Sequence, residues 1–197
     1  MSRTEFVKGQ SRTVSPAAAM AALSRRWDLA QQSDFDNDLE VLNYALLLEH
    51  LEAAFYNQGN RRVRLHPLDY PYMKQVEKDE EYHVKFLTNA ISKAGGKPVP
   101  APEVDFGDAF ASRDSYLKLS HTFENVGAGA YLGAAGFIKN TAYLQAAAGI
   151  FGVEARHAAI VGDLLNLEPE GGVYMGAFET PKPKQDVLNA VDPYIID

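Results

Sequence analysis

The chain has 197 residues, enough for a domain with a sizeable core, and no cysteine, so disulfides, thiolate metal sites and a cysteine nucleophile are excluded. Its 19 basic and 26 acidic side chains leave a net charge of −7, which argues against nucleic-acid binding, because a nucleic-acid binder carries a basic face. No apolar run reaches the length of a membrane span, and Arg25-Arg26 is followed by WDLAQQSDFDND rather than an apolar stretch, so no twin-arginine export signal is read there and the expected location is the cytoplasm.

Residues 1–35 read as an N-terminal extension, in which VSPAAAMAALSRRWDLAQQ predicts a helix starting at Pro16. Four long segments of helical period follow, over 36–166. The first runs from Asp36 to Asn57, with acidic residues crowding its start and Gly59 after its end, as helix polarity prefers. The second begins at Pro71 and stops before Gly95-Gly96. The third runs from Asp114 to Ile138 and contains NVGAGAYLGAAG. Each glycine inside a helix costs about 1 kcal/mol against alanine, so the run is read as a place where another helix approaches closely, with a π-bulge near Glu124 as the alternative. The fourth runs from Thr141 to Leu165, and a short terminal helix over Pro183 to Val191 sits in a C-terminal extension, 167–197.

No segment alternates like a strand, so the fold class is all-α. Short links from Asn57 to Pro71 and from Lys139 to Thr141 suit antiparallel neighbours. The link from Gly95 to Ser112, rich in Pro and Gly, is long. A helix of ~24 residues is about 36 Å long and a linker of ~18 residues reaches about 60 Å. That link can therefore run the length of a bundle and make the second and third helices parallel.

The motif Glu-x-x-His occurs twice, as Glu80-Glu81-Tyr82-His83 and, 74 residues later, as Glu154-Ala155-Arg156-His157. With 13 Glu and 5 His in the chain, random order gives about a third of one such motif. Other residues repeat with it. Glu49 precedes Glu80 by 31 residues and Glu124 precedes Glu154 by 30, and Tyr56 and Tyr131 each follow their upstream glutamate by seven. The pattern is that of a duplicated helical hairpin.

All four glutamates fall on the apolar stripes of their helices, Glu49 with Leu42 and Leu46, Glu124 with Leu117 and Ala128. Uncompensated, each such carboxylate costs several kcal/mol to desolvate, and the stripes hold no Lys or Arg to offset this. Divalent cations would. Four carboxylates and two imidazoles suit two iron or manganese ions better than a soft metal, and leave open positions for water, dioxygen or hydrogen peroxide. Glu52, three after Glu49, is read as a flanking residue or an acceptor behind the ligands. His50 points about 100° away from Glu49. His121 is read either as a partner of a ligand or as an unrelated histidine. Tyr56 and Tyr131 are read either as core aromatics or as redox-active.

With these motifs the sequence resembles the ferritin-like superfamily, in which a Glu from each of two helices joins Glu-x-x-His from two others. The segment NDLEVLNYALLLEHLEAAFYNQG resembles most closely the ferritin-like domain of desiccation-related and stress proteins. The resemblance extends over about residues 37–195 and implies a ferritin-like four-helix bundle with a dimetal site. Carried over position by position, the ligands are Glu49, Glu80, His83, Glu124, Glu154 and His157, with Glu80 and Glu154 able to bridge the metals. Tyr56 falls where relatives place a tyrosine beside the metals, which implies a catalytic role. Without a Cys-x-x-Cys pair, the rubredoxin-type module of rubrerythrins is missing, and the two extensions do not match an iron-storing cage. The implied function is stress-protective oxidation of Fe(II), or consumption of peroxide, at a di-iron or di-manganese site, with a homo-oligomer left open. Two alternatives stand beside it: a non-catalytic desiccation protector with structural metal, and a di-iron oxygenase acting on an organic substrate, which needs a pocket beside the metals.

Overall fold

The computed structural model describes residues 34–196, so the helix expected from Pro16 lies outside the described residues. Four long helices dominate: α1 (Asp38–Arg62), α2 (Tyr70–Lys93), α3 (Arg113–Ala135) and α4 (Thr141–Leu164). Local chemistry sets their ends. The Asn37 side chain accepts from Glu40 N–H at the start of α1, Ser112 and Ser115 form a capping box at the start of α3, and Asn140 caps α4. α1 packs along α2 and α3 along α4 as two hairpins, while α2 and α4 touch at few points.

The bundle is all-α, as expected, with a full-length crossover. Gly96 lies against Leu39 near the start of α1, Phe106 packs edge-on to Phe55, and Phe110 lies under Arg62 at its end. Arg113, opening α3, pairs at 2.5 Å with Asp69 beside the start of α2. The two helices therefore begin at the same end and run parallel. Two expectations are corrected. α1 continues through Gly59 to Arg62, because a Cβ at position 59 would overlap the Tyr116 ring and glycine is what lets α1 and α3 approach there. Two-residue strands also exist, β1 (Glu103–Val104) in the crossover and β2 (Ile195–Ile196) in the tail, paired antiparallel; they are too short for alternation to show.

After α4 the tail turns at Asn166 and returns over α3. Lys182 N–H donates to Gly129 O at 2.9 Å, and a Cβ on Gly129 or Gly133 would collide with Lys182. The glycine run of α3 thus admits a close neighbour, but the neighbour is this strap rather than a helix, and α3 is continuous with no π-bulge. α5 (Lys184–Val191), the short helix expected from the sequence, then buries Val187 and Val191. Tyr194 lies tilted against Phe106 and edge-on to Phe123. Among the described residues no helix is long and apolar enough to cross a membrane.

Candidate metal centre

The four repeated glutamates come together at mid-bundle, one from each long helix. Glu49, Glu80, Glu124 and Glu154 are each 0% exposed, and His83 and His157 are 7% and 6% exposed. Their oxygen and nitrogen atoms form two clusters, Glu49–Glu80–His83–Glu154 and Glu80–Glu124–Glu154–His157, in each of which the donor atoms lie within 4.8 Å of one another. Glu80 and Glu154 belong to both.

The repeat in the chain becomes an approximate two-fold in the site. His83 Nδ1 lies 3.2 Å from Glu49 Oε2, 3.0 Å from Glu80 Oε2 and 3.3 Å from Glu154 Oε1. His157 Nδ1 lies 2.9 Å from Glu80 Oε1 and 3.3 Å from Glu124 Oε2. Each hairpin's tyrosine holds the other hairpin's glutamate: Tyr56 Oη donates to Glu124 Oε1 and Tyr131 Oη donates to Glu49 Oε1. Tyr56 lies against the cluster through Glu124, Tyr131 stands in the equivalent place through Glu49, and the geometry does not single out Tyr56.

The donor set fits divalent cations. Among the described residues no lysine or arginine is buried. Glu80 Oε1, Glu124 Oε2, both oxygens of Glu154 and His157 Nδ1 are buried without a hydrogen bond, even where they crowd together at 2.9 Å. Buried polar atoms are ordinarily paired, and atoms that converge without bonding one another are what a bound cation uses. Without metal, protons balance the charge. Burial, reinforced by the charges of Glu49 and Glu124, pushes Glu80 up to about 7 against the pull of both histidines. Burial and the charges of Glu80 and Glu49 push Glu154 well above the carboxylate range. Burial alone would lower the two imidazoles, but the carboxylates around them win: Glu124 and Glu80 push His157 up to about 12, and Glu154, Glu49 and Glu80 push His83 up strongly. Glu49 is lowered, since hydrogen bonding and charge from His83 outweigh its burial.

Three further residues are placed by the structure. Glu52 is buried but in neither cluster. It lies with Glu154 against Gly127, where a Cβ would come within 3.2 Å of Glu52 Oε1 and 3.0 Å of Glu154 Oε2. Burial and the charge of Glu154 push its carboxyl well above the usual carboxylate range. Asp79, which sequence reasoning missed, places Oδ2 3.3 Å from His157 Nε2 and accepts from Gln75 at Oδ1. The available signal was its position, directly before Glu80 on the helix face that turns toward α4. His121 is not at the site: its Nε2 donates to Gly172 O at 2.8 Å and anchors the tail. His50 belongs to neither cluster.

A four-helix bundle with a carboxylate–histidine cluster at its centre defines the class of helical proteins built to hold metal between two hairpins. A comparison with family models makes this specific: the ferritin-like domain model matches residues 37–167, most of the chain, and the chain belongs to that family. No curated protein matches the sequence.

Proposed function

We propose that this protein is a stress-protective redox metalloprotein that holds two iron or manganese ions and uses them to oxidise Fe(II) or to consume hydrogen peroxide. The observation that carries the reading is the pair of buried donor clusters sharing Glu80 and Glu154, with their unpaired oxygens. In this reading Glu49 and His83 would hold one ion and Glu124 and His157 the other, with Glu80 and Glu154, members of both clusters, available to each. Bound together, two such ions supply two-electron exchange with dioxygen or peroxide.

The chain's own groups prepare the site. Tyr56 and Tyr131 each take one oxygen of a terminal carboxylate, which leaves Glu124 Oε2 turned to His157 and Glu49 Oε2 turned to His83. Burial, and then the adjacent carboxylate, push both tyrosines well above their usual range, so each hydroxyl keeps its proton in the bond to the carboxylate. Tyr56 is carried as the catalytic candidate on the family resemblance, and Tyr131, whose Oη makes the equivalent bond to Glu49, shares that role. Asp79 fixes the far nitrogen of His157 and so its orientation. An apolar pocket lined by Leu42, Ala45 and Tyr131 lies in the same bundle interior.

The test is turnover of the loaded protein. Fe(II) under air should be oxidised faster than in buffer, or peroxide consumed by the manganese form, and Glu124→Ala should abolish the activity while the helices remain. Loaded protein showing neither reaction, or Glu124→Ala keeping full rate with a metal lost, overturns the reading in favour of a non-catalytic protector.

A further inference from the structure

The two hairpins meet closely along α1 and α3, where α5 and the tail cover the seam, but α2 and α4 stand apart. Between them lies an open cleft of ≈ 570 Å³. One wall is aromatic, Tyr82 and Phe86 one helical turn apart on α2, with 68% and 40% of their surface exposed. The other wall is made of small residues of α4, Ala142, Ala146 and Gly149. Such a slot accepts a flat ring.

The polar groups at the cleft are Asp79, Gln145 and His83. His83 is the informative one. Its side chain is 91% buried, its Nδ1 faces the carboxylates, and its Nε2 has no partner among the described residues. A histidine that gives one nitrogen to a metal nearly always donates its other N–H to an oxygen. For His157 that oxygen comes from Asp79. The residue matching Asp79 in the repeat is Val153, which has no acceptor to offer. The protein thus supports one imidazole internally and leaves the far edge of the other on the cleft.

We propose that the α2–α4 cleft binds a dihydroxybenzene-type reductant, with a ring oxygen accepting from His83 Nε2–H and the ring lying on Phe86 and Tyr82. The inference rests on the redox reading of the site and names the electron donor it needs. Reduction of peroxide to water takes two electrons, and a chain without cysteine has no thiol pair to give them. A 1,4-dihydroxybenzene loses two electrons and two protons to become a quinone. Its two O–H bonds break, the peroxide O–O bond breaks, and the two protons end in the two waters: diol + H2O2 → quinone + 2 H2O. Asp79 is the carboxylate at the cleft that can relay the departing protons, while Gln145 can only hydrogen-bond the ring oxygens.

The experiment uses full-length, metal-loaded protein with two probes, hydroquinone as reductant and resorcinol as its isomer that forms no simple quinone. Gly149→Leu fills the cleft at a position where an added Cβ meets nothing within 4 Å. Wild type should bind resorcinol in equilibrium dialysis and should consume hydroquinone and peroxide one to one, giving benzoquinone. Gly149→Leu should raise the half-saturating concentration of both probes by at least about ten-fold through steric exclusion, with metal content retained. Several results overturn the inference: no resorcinol binding to wild type (His83 Nε2 then meets water only), equal binding by Gly149→Leu, a hydroxylated product in place of quinone, or a dimer that covers the cleft and is broken by Gly149→Leu. If Fe(II) is still oxidised but hydroquinone is not, the inference falls and the redox reading stands. If no metal binds, the redox reading falls and the reductant role falls with it, whatever the dialysis shows.

Discussion

Raising the pH should destabilise the metal-free protein across a range where most proteins are steady. The perturbation is a shift from pH 5 to pH 7.5 in the presence of chelator. Glu80 titrates near 4.5 when unfolded and at about 7 in the fold. A carboxyl raised in this way binds more protons folded than unfolded, so its contribution is fully present below pH 4.5 and is lost as pH rises through 7. At about 1.4 kcal/mol for each pH interval between the two values, that loss approaches about 3 kcal/mol. Glu52 and Glu154 are raised and act in the same direction, as do His83 and His157 once the pH passes 6.5. Glu49 is lowered, so its contribution is lost only as the pH falls below 4.5, outside the window. With a urea slope of about 2 kcal/mol per molar, the unfolding midpoint should fall by about 1.5 M between the two pH values. Metal-loaded protein should show the opposite slope, because metal displaces protons and binds more tightly as pH rises. An equal or higher midpoint at pH 7.5 for metal-free protein would refute the claim that buried carboxyls are held there by protons.

Asp79→Asn removes the carboxylate that orients His157, and should weaken one of two bound ions by about 10- to 100-fold while sparing the other, measured by competition with a chelator. Gly133→Ala pushes a methyl group into the backbone of Lys182, which has no rotamer with which to give way; it should cost about 1–3 kcal/mol in thermal or urea unfolding, and an unchanged midpoint would show that the strap does not rest on α3.

The four long helices and the burial of the six repeated Glu and His side chains were legible because both follow from local periodicity. A carboxylate on an apolar stripe is visible within four residues, and duplication made each observation appear twice. What was not legible depends on contacts between distant segments. Gly59 looked like a helix end because its partner, Tyr116, lies on another helix. The glycines of α3 looked like a helix contact because their partner, Lys182, belongs to a strap about fifty residues downstream. Gly127 answers a different need, room for the Glu52 and Glu154 carboxylates. Asp79 was passed over because an acidic residue beside Glu80 reads as a solvated flank until α4 brings His157 within 3.3 Å. The equivalence of Tyr56 and Tyr131 was half visible: both stood seven residues after a glutamate, but that each binds the glutamate of the opposite hairpin is a fact of packing.

The most direct test of the account is a count of metal ions per chain. Wild-type protein, the Glu80→Gln/Glu154→Gln double variant and Glu52→Gln would be reconstituted with iron or manganese, stripped of loosely bound metal and analysed for metal and protein together. The account predicts two ions in wild type and in Glu52→Gln, since Glu52 belongs to neither cluster, and none retained in the double variant, which loses the two carboxylates common to both. Wild-type protein that holds no ion, or only one, after reconstitution with either metal would contradict it.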